Sequence, residues 1–543
     1  MNPKPDDVDV AIIGSGPVGL AIASALAATR LRIVVIEAGG PRQSPEDERD
    51  SLAATMKAPP AHPDAYLFRR RVLGGSSTVW GGRCLPFDRI DMEPLADRPG
   101  WPIGYDDVQP FMPRALDFLD AGDPVFDESA FPAPMPMNRE GSALDLDFIE
   151  RFSKPTNLWK KTGSDLAARA NVVVHRNTLV RELVLDPESG RVRELDIVDT
   201  VSGAASSLRA RHVVLAGGGI ENARLLLSSR SVLPAGVGNQ HDNVGRYYMT
   251  HLIGDVGALK LSASIDQAKF DYRLTRDGIY ARTLMKLSES LRASEGLPGA
   301  TWRPNIAPIW DAGHRSPVLS AMHFAKSLVA REYAYRLSVQ GGGRPDGTRS
   351  AHPATAHLLN IFRSPLELAA FGQDWVRRRI LADRKLPSVF LLTANRTYPM
   401  EINAEQFPDR QSRIGLSDRV DRYGMPLITL DWRPGGRTLD RLARSARHFA
   451  EAVEEAGVGR YIYSSSDIER SFVPQGGHHI GTTRMASGPR DGVVDRNCTV
   501  FGIPNLHVAG ASVFVTSGYA NPTLMAVALA FRLAEHLGRE AAP

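Results

Sequence analysis

Two adjacent histidines, His478 and His479, stand in a glycine-rich stretch, GGHHIGTTRM (476–485), and Asn521-Pro522-Thr523 follows, with Asn521 43 positions after His478. An imidazole has an unperturbed pKa near 6.5, so it is suited to take a proton from a hydroxyl group near neutral pH. A carboxamide beside it can orient the hydroxyl oxygen and stabilise developing alkoxide. His478 and Asn521 are therefore the candidate catalytic pair, and His479 is the alternative base. In an extended chain neighbouring side chains point to opposite faces, so one imidazole can face a cleft while the other packs or binds a loop. A lone histidine is more often structural; the glycine setting and the spacing to Asn521 favour chemistry here. His-x-x-x-His spacing is absent, and no carboxylate or cysteine cluster completes a ligand set, so no metal is expected.

These residues need a partner that accepts electrons, and the start of the chain offers its cradle. Gly14, Gly16 and Gly19 form G-x-G-x-x-G, with Ser15, Pro17 and Val18 between them, joining a strand (Val8–Ile13) to a helix (Val18–Ala28). The first glycine permits the tight turn, the second lets the backbone approach a pyrophosphate, and the third packs helix on strand. The helix N-terminus faces the negative charge. Glu37, followed by Ala38, closes the second strand, where a carboxylate can bind ribose hydroxyls. The motif alone does not separate NAD from FAD.

Further glycine-rich turns join this set. Gly74, Gly75, Ser76, Ser77, Gly81 and Gly82 put bare backbone beside Trp80, as a surface loop would, or as close packing against a flat ring or phosphate requires; with the N-terminal motif they favour a flavin. Val180 lies in the strand-like run Asn171–Leu185, and Ala216 and Gly217 follow a strand in RHVVLAGGGIENARLLLSS (211–229). Gly510 and Ala511 follow a strand at Leu506–Val508. Pro522 suits a first helical turn and Asn521 an N-cap, so Asn521 either caps or binds substrate. First-turn N–H groups at Pro522 and Thr523 can stabilise negative charge on a reduced flavin.

The nucleotide-binding pieces lie at the start, near 170–230, and at the end. The expected fold is α/β (α+β): a discontinuous Rossmann-like FAD-binding domain (1–85, 171–250 and 471–543) with an inserted mixed-sheet substrate-binding domain (86–170 and 251–470). A helix is expected at Leu439–Ala456. QGGGRPDGTRSAHP (Gln340–Pro353) reads as a surface loop, with an active-site lid the alternative.

The chain has 543 residues, long for one core. A net charge of +4, evenly spread, argues against nucleic acid. Apolar runs shorter than the roughly 18–20 residues that cross a bilayer argue against a membrane span. Cys84 and Cys498 make no disulfide framework, and Val8 opens the first strand with no signal-like lead, so a cytoplasmic protein is expected.

On these motifs the chain resembles the glucose–methanol–choline (GMC) oxidoreductases, flavoenzymes that oxidise alcohols and sugars. The resemblance runs in order through the N-terminal dinucleotide fold, RVLGGSSTVWGG (71–82), VVLAGGGIENARLLLSS (213–229), DNVGRYYMTH (242–251), SRIGLSDRVDRYGMPLITLDW (412–432), His478-x-x-Gly481-Thr482-x-x-Met485 and Asn521-Pro522-Thr523. It implies FAD, a base at His478 and its partner at Asn521; in some pyranose oxidases the key histidine stands where this chain has Thr483. Relatives that tether their flavin use a histidine just before the Trp of the second motif. Val79 stands there and has no nucleophilic atom, which implies noncovalent FAD. Phe152-Ser-Lys-Pro-Thr156 and Gly477-His-His479 look most like the bacterial sugar- and glycoside-oxidising (pyranose-oxidase-like) branch. The partners expected are a small-molecule alcohol or sugar substrate and an electron acceptor: oxygen, a quinone or a redox protein. Trp302, Trp310, His323 and Phe324 are candidates to stack on a sugar ring, with core packing the alternative. The competing readings are a non-sugar alcohol oxidoreductase, an NAD-dependent dehydrogenase, a flavin monooxygenase and a non-catalytic flavin-binding module.

Overall fold

The computed structural model describes residues 8–58, 62–154, 157–325, 353–391 and 393–540. Gln340–Ala351 and His352 of the glycine-rich segment, and Pro155 and Thr156, lie outside them.

The elements that carry the argument are β1 (Val10–Ile13), α1 (Pro17–Leu26), β2 (Ile33–Ile36), β3 (Val172–His175), β4 (His212–Leu215), α2 (Gly218–Ser228), β5 (Leu252–Leu261), β6 (Thr397–Ala404), α3 (Gly436–Glu455), β7 (Leu506–Val508) and α4 (Thr523–Glu540). The fold is mixed α/β. Five strands form one parallel sheet in the order β7–β4–β1–β2–β3. Its strands are short and almost wholly apolar, as buried parallel strands must be when helices cover them. Val10, Ile12, Val34, Val35, Val214 and Val508 are buried, each contributing about 1.5–3 kcal/mol.

The tight turn after β1 follows from its glycines. Gly14 has φ +110°, and a Cβ on Gly19 would fall 1.9 Å from the Gly14 carbonyl oxygen, so α1 can lie this close to β1 only without side chains there. Helices α1 and α4 pack together over the sheet. The same core takes in Phe87, Trp101, Leu116 and Phe118, so the first residues after the expected boundary at 85 pack with the parallel sheet.

A second, antiparallel sheet joins β5 and β6 with Gly459–Ile462, Ala300–Pro304, Met285–Leu287 and Leu144–Asp145. Helix α3 covers it through Leu442, Ala446, Phe449 and Val453, placing the expected helix within a residue or a few at each end. Trp302 stacks on Phe449 with ring centroids 4.4 Å apart, so it is a core residue and no ring platform. His323 and Phe324 pack around His357. The polar, Pro-containing stretch at 41–68 holds a helix at Pro45–Ser51 and a strand at Ala54–Ala58 that pairs in parallel with Pro426–Asp431. That strand's partner is distant in sequence, so local pattern could not show it. Among the described residues no helix is long and apolar enough to cross a membrane.

Candidate active site

A cavity of about 1470 Å³, part of it open to solvent, runs along the C-terminal ends of the parallel strands. Its position is where open α/β sheets bind nucleotides. Gly14, Gly16, Pro17, Val18, Glu37, Ala38, Gly75, Ser76, Val180, Ala216, Gly217, Gly510, Ala511, Pro522 and Thr523 all line it. A Cβ on Gly16 would meet nothing within 4 Å, so the backbone there opens onto free space that any side chain would fill. Gly510, at φ +104°, makes the matching turn after β7.

Other residues expected in the cradle stand behind its wall. Ser15 gives Glu37 Oε2 both its amide (2.9 Å) and its hydroxyl (2.7 Å), while Gly39 donates to Oε1 at 2.9 Å. Burial raises the Glu37 carboxyl above the usual range, against these hydrogen bonds. Gly19 packs α1 on β1. Gly74 abuts Asn157, and Ser77 donates to the Gly74 carbonyl at 2.5 Å. Gly82 lies against Ser153. Trp80 is half-buried against the core, and neither it nor Gly81 is among the cavity-lining residues. Val79 is 38% exposed.

Sequence reasoning passed over several lining residues, among them Arg69, Arg70, Arg71, Gly219, Asn222 and Met425, while His479, the alternative base, also lines the cavity. Asn222 ties the cradle together: Oδ1 accepts from Gly217 N (2.8 Å), and Nδ2 donates to Ala509 O (3.1 Å) and Ser512 Oγ (3.0 Å). Arg71 is buried, with two guanidinium nitrogens that make no hydrogen bond. A bare glycine turn, a helix N-terminus and nearby guanidinium charge suit the pyrophosphate and sugar of a dinucleotide.

Of the two histidines, His479 lines this cavity, whereas His478, like Asn521, is flanked by lining residues without being one. Gly477 and His479 line it on one side of His478, and Pro522 and Thr523 line it beside Asn521. The Asn521 amide nitrogen lies 3.2 Å from His478 Nε2, so its carboxamide is turned to the imidazole. Backbone pairing brings this about. Met249 exchanges hydrogen bonds with Ile480, and Gln475 N donates to His251 O at 2.8 Å. On the other side, Gly481 N donates to Ala511 O (3.1 Å) and Thr483 N to Ser512 O (2.8 Å). Thr483 is buried, and its hydroxyl has no partner.

His478 and His479 point apart. The His478 Nδ1 lies 2.6 Å from His251 Nδ1, whereas His479 Nδ1 lies 2.9 Å from the Tyr248 hydroxyl, which in turn lies 3.0 Å from His62 Nε2. Burial pushes both imidazoles well below the ordinary histidine range; His251 and Arg83 add repulsion at His478, and Arg69 does so at His479. Both are therefore neutral at neutral pH, so either candidate base is held deprotonated, in contrast to the unperturbed value assumed from sequence. His251, Tyr248 and His62 were not singled out; the one signal was that Tyr248 and His251 fall in DNVGRYYMTH.

Away from the cavity, His212, His507 and Glu540 bring ligand-type atoms within 4.8 Å of one another. Sequence spacing gave no sign of this cluster, because its members come from β4, β7 and the end of α4. It lies outside the cradle and takes no part in it.

Residues 408–530 match the GMC oxidoreductase family. The chain is 26% identical to 6'''-hydroxyparomomycin C oxidase of Streptomyces lividus, over 98% of this chain and 92% of that one. It is 22% identical to 2-methyl-1,2-propanediol dehydrogenase of Mycolicibacterium austroafricanum, over 99% and 96%. The crystal structure of pyridoxine 4-oxidase from Mesorbium loti superposes with a TM-score of 0.54 at 18% identity, covering 97% of this chain and 99% of that one.

Proposed function

Because the chain is a GMC oxidoreductase, an enzyme of a family that acts on alcohol groups, we propose that it oxidises a sugar or glycoside hydroxyl to the carbonyl with noncovalently held FAD. The observation that carries this reading is the 3.2 Å pairing of His478 Nε2 with the Asn521 amide, next to residues that line the cavity. The sugar class rests on the likeness to an enzyme named for a hydroxyparomomycin, and a small non-sugar diol is the second reading, favoured by the likeness to a propanediol dehydrogenase. Val79, lacking a nucleophilic atom where a tether would form, supports noncovalent binding. The proposed cofactor unit comprises 1–85, 171–250 and 471–543, and the substrate unit 86–170 and 251–470.

A hydroxyl entering between the two side chains gives its proton to His478 Nε2 and takes the Asn521 N–H onto its oxygen. A general base in this role contributes roughly 10²–10⁴-fold. Bound FAD supplies the acceptor for the carbinol hydride. Glu37 and the turn at Gly14–Gly16 hold the nucleotide end, and the N-terminus of α4, an 18-residue helix, presents its positive dipole end at Pro522 and Thr523. The acceptor that restores the enzyme is oxygen, a quinone or a redox protein.

The test is anaerobic bleaching of the flavin absorbance against a panel of sugars, glycosides and small diols, followed by admission of air. Sugar-driven bleaching supports the first reading and diol-only bleaching the second. A preparation that binds no FAD after reconstitution sinks both.

A further inference from the structure

His251 is fully buried and lies on none of the cavity walls, yet its imidazole abuts the proposed base. The rings meet edge-on, 4.8 Å between centroids at 86°. A contact of 2.6 Å between two imidazole nitrogens requires one proton between them, and the surroundings decide whose it is. His251 Nε2 lies 3.1 Å from the Ser517 carbonyl oxygen. A carbonyl only accepts, so Nε2 of His251 carries a hydrogen. Burial holds His251 neutral, with its pKa lowered to about 4, so its Nδ1 is a bare lone pair. The proton in the short contact therefore belongs to His478 Nδ1. His478 is neutral too, which leaves its Nε2 as a lone pair facing Asn521, the only geometry in which that nitrogen accepts the amide N–H.

The acceptor at the far end of this chain is fixed in place. Ser517 Oγ donates to Gln406 O at 3.1 Å and accepts from Gln406 N at 3.0 Å. Asn403 Nδ2 donates to Tyr519 O at 2.7 Å, and the Thr516 hydroxyl to Asp91 O at 2.7 Å. The 516–519 segment is thus bonded to strand β6, to its continuation at Gln406 and to Asp91, and it cannot turn its carbonyl away without breaking several buried bonds.

We propose that His251 is a positioning residue: its Nδ1 lone pair, oriented by the Ser517 carbonyl, holds the His478 proton on Nδ1 and so presents Nε2 as the base. This deepens the proposed function and rests on His478 being the base there. In the proton-transfer step the substrate O–H bond breaks and an N–H bond forms at His478 Nε2; the Nδ1–H bond to His251 stays in place throughout. A carboxylate in this position would raise the basicity of His478, whereas a neutral imidazole fixes the tautomer without doing so. The other charged or titratable groups facing the pair are Arg83, His479 and Glu405.

The experiment is NMR of imidazole nitrogens in histidine-labelled, FAD-loaded enzyme, with His478 assigned by its loss in H478Q. The expected result is a neutral His478 protonated on Nδ1. In His251→Phe, which keeps the bulk and removes the acceptor, the tautomer should shift to Nε2–H and flavin reduction should slow by about 10²–10⁴-fold, the range that a general base contributes. His251→Asn retains an acceptor and a donor and should recover most of the rate. An Nε2–H tautomer in the wild type overturns the proposal, as does unchanged reduction in H251F with FAD bound. Should H251F fail to fold, the wild-type tautomer and H251N still decide. Full-rate reduction in H478Q sinks the assignment of the base and leaves the tautomer result standing, so the two failures are distinct.

Discussion

His478 and His479 are joined by one peptide bond and belong to different parts of the machine. Each donates its Nδ1 proton into a chain of buried groups that ends on a backbone carbonyl. For His478 the chain is His251 and then Ser517 O. For His479 it is the Tyr248 hydroxyl, His62 and then Pro63 O at 2.7 Å. The outcomes differ at the other nitrogen. His478 Nε2 meets Asn521, whereas His479 Nε2 is buried without a hydrogen-bond partner, and His479 backs onto Gly219 in the cavity wall. Extended backbone throws consecutive side chains to opposite sides, so one imidazole reaches Asn521, where a proton acceptor is proposed, and the other is a strut. The lesson is that a histidine's role is set by what its second nitrogen is allowed to see.

The comparison breaks most visibly in kinetics. His478→Ala should slow anaerobic flavin reduction by about 10²–10⁴-fold with FAD retained, whereas His479→Ala should cost far less. Stopped-flow absorbance of the two variants decides, and equal losses would erase the distinction. Next in size is Gly219→Ala. Its Cβ would fall 2.1 Å from the His479 carbonyl oxygen, so the backbone of the strut must move. FAD dissociation, followed by fluorescence, should quicken at least several-fold, and a fully tight variant would show that this wall yields freely.

Tyr248→Phe strands His479 Nδ1–H and His62 Nε2 together. A loss of about 1–3 kcal/mol in denaturant midpoint stability is expected, with flavin reduction close to wild type. A slowed reduction would instead tie Tyr248 to the base. A further effect is graded by pH. His251, lowered to about 4, His507, lowered to about 3, and both His478 and His479 bind fewer protons folded than unfolded below pH 6.5. Stability is therefore complete above the unfolded histidine range and falls as pH drops through it, by up to about 1.4 kcal/mol per pH unit for each such group. Denaturant titrations between pH 7 and 5 measure that slope, and a flat profile would contradict the burial of these rings.

Local features were legible. The turn at Gly14–Gly19 and the strand at Leu506–Val508 depend on neighbours a few residues away, so spacing and residue type suffice to read them. The approach of His478 to Asn521 was inferred from the resemblance and from spacing rather than from pattern. The positions that orient them were not legible at all. His251 reaches His478 only because Met249 pairs with Ile480, and the strand at Ala54–Ala58 finds its partner at Pro426–Asp431. Such pairings join distant segments, and nothing in the local residue pattern marks them. For the same reason the second row of the cradle, Asn222 among it, was invisible while its glycines were plain.

The walls of the cavity come from segments far apart in sequence, and Gly14 and Gly16 are made well before Gly510, Pro522 and Ala526. The cavity is therefore complete only after all of these residues have left the ribosome. Until then Val34, Val214 and their neighbours lack β7 and α4 as cover, so holding the growing chain apart from its fellows is a task that falls to the cell. Losing α4 should leave a chain that is sticky.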